Sequence, residues 1–331
     1  MQKSIALSHG NGGAENQELI RSIFYKHFNN ELLQRSEDAA VFQAHGNVAM
    51  TTDAFTVSPR FFPGGDIGKL AVCGTCNDIA MMGAKPRYMT CSFIIEEGFV
   101  TRELEKIVRS MKAELAANDT LVVGGDTKVV PKGAVDGLFI TTTGFGEVYY
   151  EGLSAAALQQ GDVILVSRDI GAHGATIFAA REGIGLESDI QSDCASLYEP
   201  VRDLIKSDVR VRALRDATRG GVAAVLNEWA QASDVCIETD EEDIPVSEAV
   251  RGICEMLGFE AYDLANEGTF VVAVAREDAD KALETLRAYH ATAARIGEVS
   301  ERHKGKVVLR SSWGTHRFME LPTGELLPRI C

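Results

Sequence analysis

Hydrophobic positions along this chain follow two rhythms, and the switches between them mark its elements. Leu70, Val72, Ile79 and Ala80 recur at helical spacing within Gly68–Met82. Arg102–Ala117 reads as an amphipathic helix, with Thr101 as its cap and Glu103 and Glu105 making an acidic first turn. Short apolar runs at Val48–Thr51, Tyr88–Ile95, Thr120–Val123 and Leu138–Phe145 read as strands. The second half repeats the mixture. Helices are predicted at Ala175–Glu182, Ala195–Lys206, Gly221–Ala232, Ser247–Leu257 and Asp278–Tyr289. Strands are predicted at Val163–Val166, Val235–Glu238, Thr269–Ala275, Ala294–Val299 and Lys306–Leu309. The fold class is mixed α/β. Between the halves lies Tyr149–Asp162, where Gly152, Ser154, three alanines and Gln159-Gln160-Gly161 break the pattern, so the expected domains are 1–152 and 153–313. After Trp313 the periodicity ends, and 314–331 is expected to be a flexible tail.

A length of 331 residues suits two domains of ordinary size. Acidic residues exceed basic ones, 48 against 33, and the net charge of −15 disfavours attraction to nucleic-acid phosphates or anionic lipid. The longest strictly apolar run, Phe270–Ala275, is far short of the roughly 20 residues a membrane helix needs, and Met1–Gly10 has no signal-peptide core. A cytoplasmic location is therefore expected, with its seven scattered cysteines reduced. Cys73 and Cys76 have CxxC spacing, but no second pair follows, so two packed side chains are the simplest reading.

Four aspartates carry the candidate chemistry. Asp53, Asp126 and Asp216 stand where strand-like runs meet glycine or threonine turns, and Asp78 lies in Asn77-Asp78-Ile79-Ala80. Any one of them alone reads as a turn or cap residue. Together, beside Gly125 and Thr127, they suit Mg²⁺ ions bridging nucleotide phosphates. The loop His9-Gly10-Asn11-Gly12-Gly13 precedes a helix-like stretch, Glu15–Phe28, and reads either as a phosphate cradle or as a plain N-terminal turn. It matches neither common nucleotide-binding glycine motif. Lys128, two residues after Asp126, is a surface lysine or a group that neutralises transferring charge; Glu267 is a turn acid or its partner in proton transfer. Cys331 ends the chain, and a thiol on a mobile arm could carry a covalently attached group.

These residues have a recognisable counterpart. The segments His9–Gly13, Thr52-Asp53-Ala54-Phe55, Phe62–Leu70, Asn77–Ala80, Gly125–Val130, Asp216–Gly221, Asn266-Glu267-Gly268 and the ending Pro328-Arg329-Ile330-Cys331 together resemble the HypE family of hydrogenase maturation carbamoyl dehydratases. Most of these motifs are shared with the wider aminoimidazole ribonucleotide synthetase-like superfamily, and the terminus is what singles out the family. Cys76 departs from the pattern. The resemblance implies two α/β domains, with N-terminal sheets from two subunits forming a barrel across a homodimer. It implies that HypF loads a carbamoyl group onto Cys331, that ATP drives dehydration of the thiocarboxamide to a thiocyanate, and that the cyanide passes to iron on the HypC–HypD complex. By the same resemblance Asp53, Asp78, Asp126 and Asp216 hold Mg²⁺ or ATP phosphates, with Asn77, Gly125, Thr127, Gly12 and Gly13 in the nucleotide site, while Lys128 and Glu267 move protons. Two other readings stay open: a superfamily sibling that phosphorylates a free small molecule, and a noncatalytic adaptor with a docking tail.

Overall fold

The computed structural model describes all residues except 1–3, 11–13, 35–38, 183–188 and 322–328. The expectations for Gly12 and Gly13 therefore lie outside the described residues. The N-terminal helical stretch runs as α1 (Ala14–Leu19), a π-helical segment (Ile20–Tyr25), α2 (Lys26–Phe28) and α3 (Glu31–Gln34). A first sheet follows, built from β1 (Val48–Phe55), β4 (Ala84–Glu96), β5 (Leu121–Val130) and β6 (Leu138–Val148), with a separate small ribbon of β2 (Phe61–Phe62) and β3 (Gly65–Asp66). Its strand order is β1-β6-β4-β5, an open sheet that does not close into a barrel among the described residues. One face is covered by α4 (Ile67–Met81) and α5 (Thr101–Ala117), which contribute Leu70, Val72, Leu104, Ile107 and Met111 to the core. Asp66 caps α4, its carboxylate accepting the N–H groups of Gly68 and Lys69 at 2.8 and 3.0 Å. The expected Thr101 cap is corrected: Val100 occupies that position and offers no side-chain bond.

The second half holds a seven-stranded sheet. Its strands are β7 (Val163–Val166), β8 (Val211–Asp216), β9 (Cys236–Asp240), β10 (Phe270–Val274), β11 (Ala294–Ser300), β12 (Lys306–Arg310) and β13 (His316–Phe318), in the order β13-β12-β9-β11-β7-β10-β8. Every residue of β7 and β10 is buried, because this sheet is covered on both faces. The helices are α6 (Ala172–Glu182), α7 (Tyr198–Lys206), α8 (Gly221–Ala232), α9 (Glu248–Leu257) and α10 (Ala279–Arg287). Val222, Leu226 and Trp229 of α8 share a core with Val166 and Val271, whereas Leu204 of α7 and Leu286 of α10 share one with Leu165 and Val272. Adjacent residues of one strand thus face opposite helical layers. β13 lies within the stretch read from the sequence as tail and pairs antiparallel with β12, so the sheet claims the chain up to Phe318, with Met319 buried behind it.

Candidate active site

Register across the first sheet sorts the candidate residues. Asp53 of β1 lies opposite Thr142, Thr142 opposite Cys91, and Cys91 opposite Gly125, so this row shares one face. It is the face that α4 covers: Thr75 of that helix donates to Asp53 Oδ2 at 2.9 Å, and Thr142 donates to the Ala71 carbonyl at 3.3 Å. Gly125 has a steric reason to be glycine, since a Cβ there would stand 2.2 Å from the Cys91 carbonyl oxygen.

Three carboxylates gather beneath that face. Asp78 of α4 accepts from Thr51 Oγ1 at 2.9 Å, and Asp216 sits at the buried end of β8. Burial, then the Asp53 charge, pushes Asp78 up to about 6. Burial, then Asp78 and Asp53 against the pull of Arg215, pushes Asp216 up to about 8. Glu267, just before β10, is raised well above the ordinary carboxyl range by burial first and then by Cys194, Asp216, Asp193 and Asp78. Its Oε1 has no hydrogen-bond partner among the described residues. Mutual repulsion of this kind is what a divalent cation relieves, and an all-oxygen donor set suits Mg²⁺. Among the described residues no group of three or more His, Cys, Asp or Glu side chains is arranged to hold a metal ion.

Asp126 does not join this cluster. It lies one residue beyond Gly125, opposite Ser92 and so in line with Thr141, on the face that α4 leaves open. Its carboxylate meets the Lys128 ammonium at 2.9 Å, both side chains more than half exposed, and that contact holds Asp126 below its usual range. Lys128 and Glu267, read as a pair from the sequence, thus stand on opposite sides of the sheet within one chain. Asp126, Thr127 and Lys128 instead border a cavity of about 360 Å³ at the β5 edge, shared with Gly10, Asn16 and an apolar wall that includes Phe24 and Phe28. Gly10 packs so closely that a Cβ would lie 2.7 Å from the Val129 nitrogen. The two glycine motifs of the sequence therefore meet at one place.

Asn77 needs a second correction. It is fully buried, and its amide is used on protein backbone: Nδ2 donates to the carbonyls of Ala195 (3.0 Å) and Glu267 (3.5 Å), and Oδ1 accepts from Leu197 N–H (2.8 Å). It is a bracket between the halves and offers no free group to a nucleotide.

The end of the chain is docked at this junction. Ile330 is 5% exposed and packs in the core of the first half. The Cys331 carbonyl accepts from Thr56 N–H at 2.9 Å, the Arg329 carbonyl accepts from Ser58 N–H at 3.2 Å and from Arg181, and Arg329 Nε donates to the Thr56 carbonyl at 2.8 Å. The Cys331 thiol is pushed up to about 12 by burial, then by Glu267 and Asp53, against Arg219. Sequence reasoning missed Asp193, which receives Glu267 N–H (3.0 Å), Gly268 N–H (2.9 Å) and Thr269 Oγ1 (2.7 Å), and it missed His173 and Arg181 beside the tail. These stand in no glycine or strand-end pattern, so nothing local marked them.

Comparison with known proteins agrees in extent. Residues 36–148 match the family model "AIR synthase related protein, N-terminal domain", and residues 159–310 match its C-terminal counterpart. The chain is 47% identical to a carbamoyl dehydratase HypE of Escherichia coli (strain K12) over 337 positions, covering 99% of each chain. It is 45% identical to one of Bradyrhizobium diazoefficiens, covering 99% of this chain and 96% of that one. A crystal structure of hydrogenase maturation protein HypE in complex with ATP superposes with a TM-score of 0.95 at 43% identity, covering 98% of this chain and 99% of that one. HypE in a HypE–HypF complex matches with a TM-score of 0.80 at 46% identity, covering 94% and 100%.

Proposed function

The chain belongs to the HypE family of carbamoyl dehydratases, and on that premise we propose how its residues carry out ATP-dependent dehydration in hydrogenase maturation. The observation that carries the reading is the docked C-terminus, where the Cys331 backbone is held by Thr56 N–H at 2.9 Å, three residues beyond Asp53. Cys331 is the carrier. HypF supplies its carbamoyl group, as a HypE–HypF complex in a relative supports. The carbamoyl oxygen takes the γ-phosphoryl group of ATP and ADP departs. Loss of both nitrogen protons and cleavage of the carbon–oxygen bond then release phosphate and leave a thiocyanate on sulfur.

Asp53, Asp78 and Asp216 would hold Mg²⁺ together with phosphate oxygens, and that ion would offset the charge of the transferring group. Glu267, buried and holding one oxygen without a hydrogen-bond partner among the described residues, is a strong base once ionised and takes a proton from the carbamoyl nitrogen. The cavity at the β5 edge, with its apolar wall and the Gly10 and Gly125–Lys128 segments, holds the nucleotide.

Lys128 completes the site from a second copy of the chain. The open face of the first sheet carries exposed Met50 and Ile94, and its edge strands, β1 and β5, each pair with a strand on one side only among the described residues. Joining two such sheets edge to edge into a barrel covers the face, removes the edges and brings β5 of one copy to β1 of the other. HypC–HypD is the proposed acceptor of the cyanide, and the cytoplasm the proposed location. No described helix is long and apolar enough to cross a membrane.

The test is Glu267→Gln. HypF should still carbamoylate the variant and ATP should still bind, while dehydration falls by about 10²–10⁴-fold. Dehydration at the native rate would remove Glu267 from proton transfer.

A further inference from the structure

We propose that His173 is the positioning residue that holds the C-terminal tail in its docked place, acting through the same short segment that holds Glu267. The inference rests on the reading of Cys331 as carrier and adds to it the latch that presents the sulfur.

His173 lies in the first turn of α6 and is completely buried. Its Nε2 is 2.8 Å from the Ile330 carbonyl oxygen and its Nδ1 is 2.7 Å from Ser192 Oγ. A carbonyl oxygen can only accept, so Nε2 carries the hydrogen. Burial pushes the imidazole down, which keeps it neutral, and Nδ1 must then accept from the Ser192 hydroxyl. That hydroxyl oxygen in turn accepts Cys194 N–H at 3.1 Å. Each member of the chain has a partner and only one arrangement of hydrogens satisfies them all. The Phe62 ring meets the imidazole edge-on at 5.5 Å and restrains its plane.

The neighbouring residue faces the other way. Asp193 binds the N–H groups of Glu267 and Gly268 and the Thr269 hydroxyl, so Ser192 and Asp193 connect the tail and the Glu267 loop through consecutive positions. Ser192 N–H is itself tied to the Pro63 carbonyl at 3.0 Å, which anchors the segment to the first half. The latch grips the carbonyl one residue before Cys331 and leaves the sulfur untouched. Thiol, thiocarboxamide and thiocyanate can therefore all be held by the same bond. The tail is also held by the backbone bonds of Arg329 and Cys331 to Ser58 and Thr56 and by the buried Ile330, whereas the Arg329–Asp136 pair is substantially exposed and contributes little.

Tail release is read directly by the rate at which a bulky maleimide labels Cys331 in the full-length unmodified protein, followed by mass spectrometry of the C-terminal peptide. His173→Leu leaves the Ile330 carbonyl without its donor, and labelling should accelerate roughly ten- to hundredfold. His173→Gln restores an N–H at about the Nε2 position and should label near the native rate; Ser192→Ala should fall between. After carbamoylation, dehydration should slow in His173→Leu and recover in His173→Gln, with ATP affinity unchanged in both. A folded His173→Leu protein that labels at the native rate overturns the proposal. If that variant does not fold, Ser192→Ala decides, and native labelling there overturns it equally. Labelling needs neither carbamoyl donor nor ATP, so its outcome is independent of whether Cys331 is the carrier, which Cys331→Ala dehydration assays settle separately.

Discussion

Asp216 illustrates how much a single buried carboxyl determines at this site. It is raised from its usual 3.8 to about 8 by burial and by Asp78 and Asp53. The folded protein therefore holds a proton that the unfolded chain gives up near pH 4. Stability associated with that proton is present below the unfolded value and lost as pH rises toward 8. A divalent cation with bound nucleotide removes the repulsion, so the rise in thermal midpoint on adding Mg²⁺ and a nonhydrolysable ATP analogue should be larger at pH 8 than at pH 5. Equal rises at both would separate the ion from this cluster. At the same scale, the sequence made the carboxylates visible through strand-end motifs, but it could not sort them. Asp53 and Asp126 differ by one position of register, and that is enough to put them on opposite faces of one sheet. Asn77 was misread because a buried amide that brackets backbone looks, in sequence, like one that binds a ligand.

Among the elements, the loop before β10 is the most tightly specified. A Cβ at Gly268 would stand 1.8 Å from the Asp193 carbonyl oxygen, a backbone atom that cannot yield cheaply. Gly268→Ala should therefore displace Glu267 and lower dehydration at least about tenfold, with overpacking destabilising the protein by about 1–3 kcal/mol in urea titration. A variant that keeps both native rate and midpoint would show that the loop tolerates the shift. Most elements were legible because their hydrophobic spacing is strong: β7 and α8 stand where the pattern placed them. β8 was overlooked as an element because Arg212 and Arg215 interrupt its apolar run. β13 was overlooked because His316-Arg317-Phe318 has no buried side chain, and only pairing with β12 makes it a strand.

For the whole molecule, the proposed site divides between two chains. If Lys128 acts on the Glu267 of a second copy, two inactive homodimers should complement each other. Mixing Lys128→Ala with Glu267→Gln under conditions of subunit exchange creates heterodimers in which one site has both residues, giving roughly a quarter of the native rate. No recovery, with exchange verified, would mean that Lys128 does not act across the interface. A monomeric mass by light scattering at micromolar concentration would contradict the dimer itself. This level was not legible from residue spacing; the family resemblance suggested it, and an uncovered sheet face is what supports it.

Mass spectrometry of the C-terminal peptide tests the central claim most directly. The protein is loaded by HypF with its carbamoyl donor, separated from it, and given ATP and Mg²⁺. Cys331 should first gain one carbamoyl group and then lose the mass of one water only when ATP is present, with one phosphate released per sulfur converted. A carbamoyl group that stays intact on Cys331 through ATP hydrolysis, or a Cys331→Ala protein that still yields the dehydrated product, would contradict it.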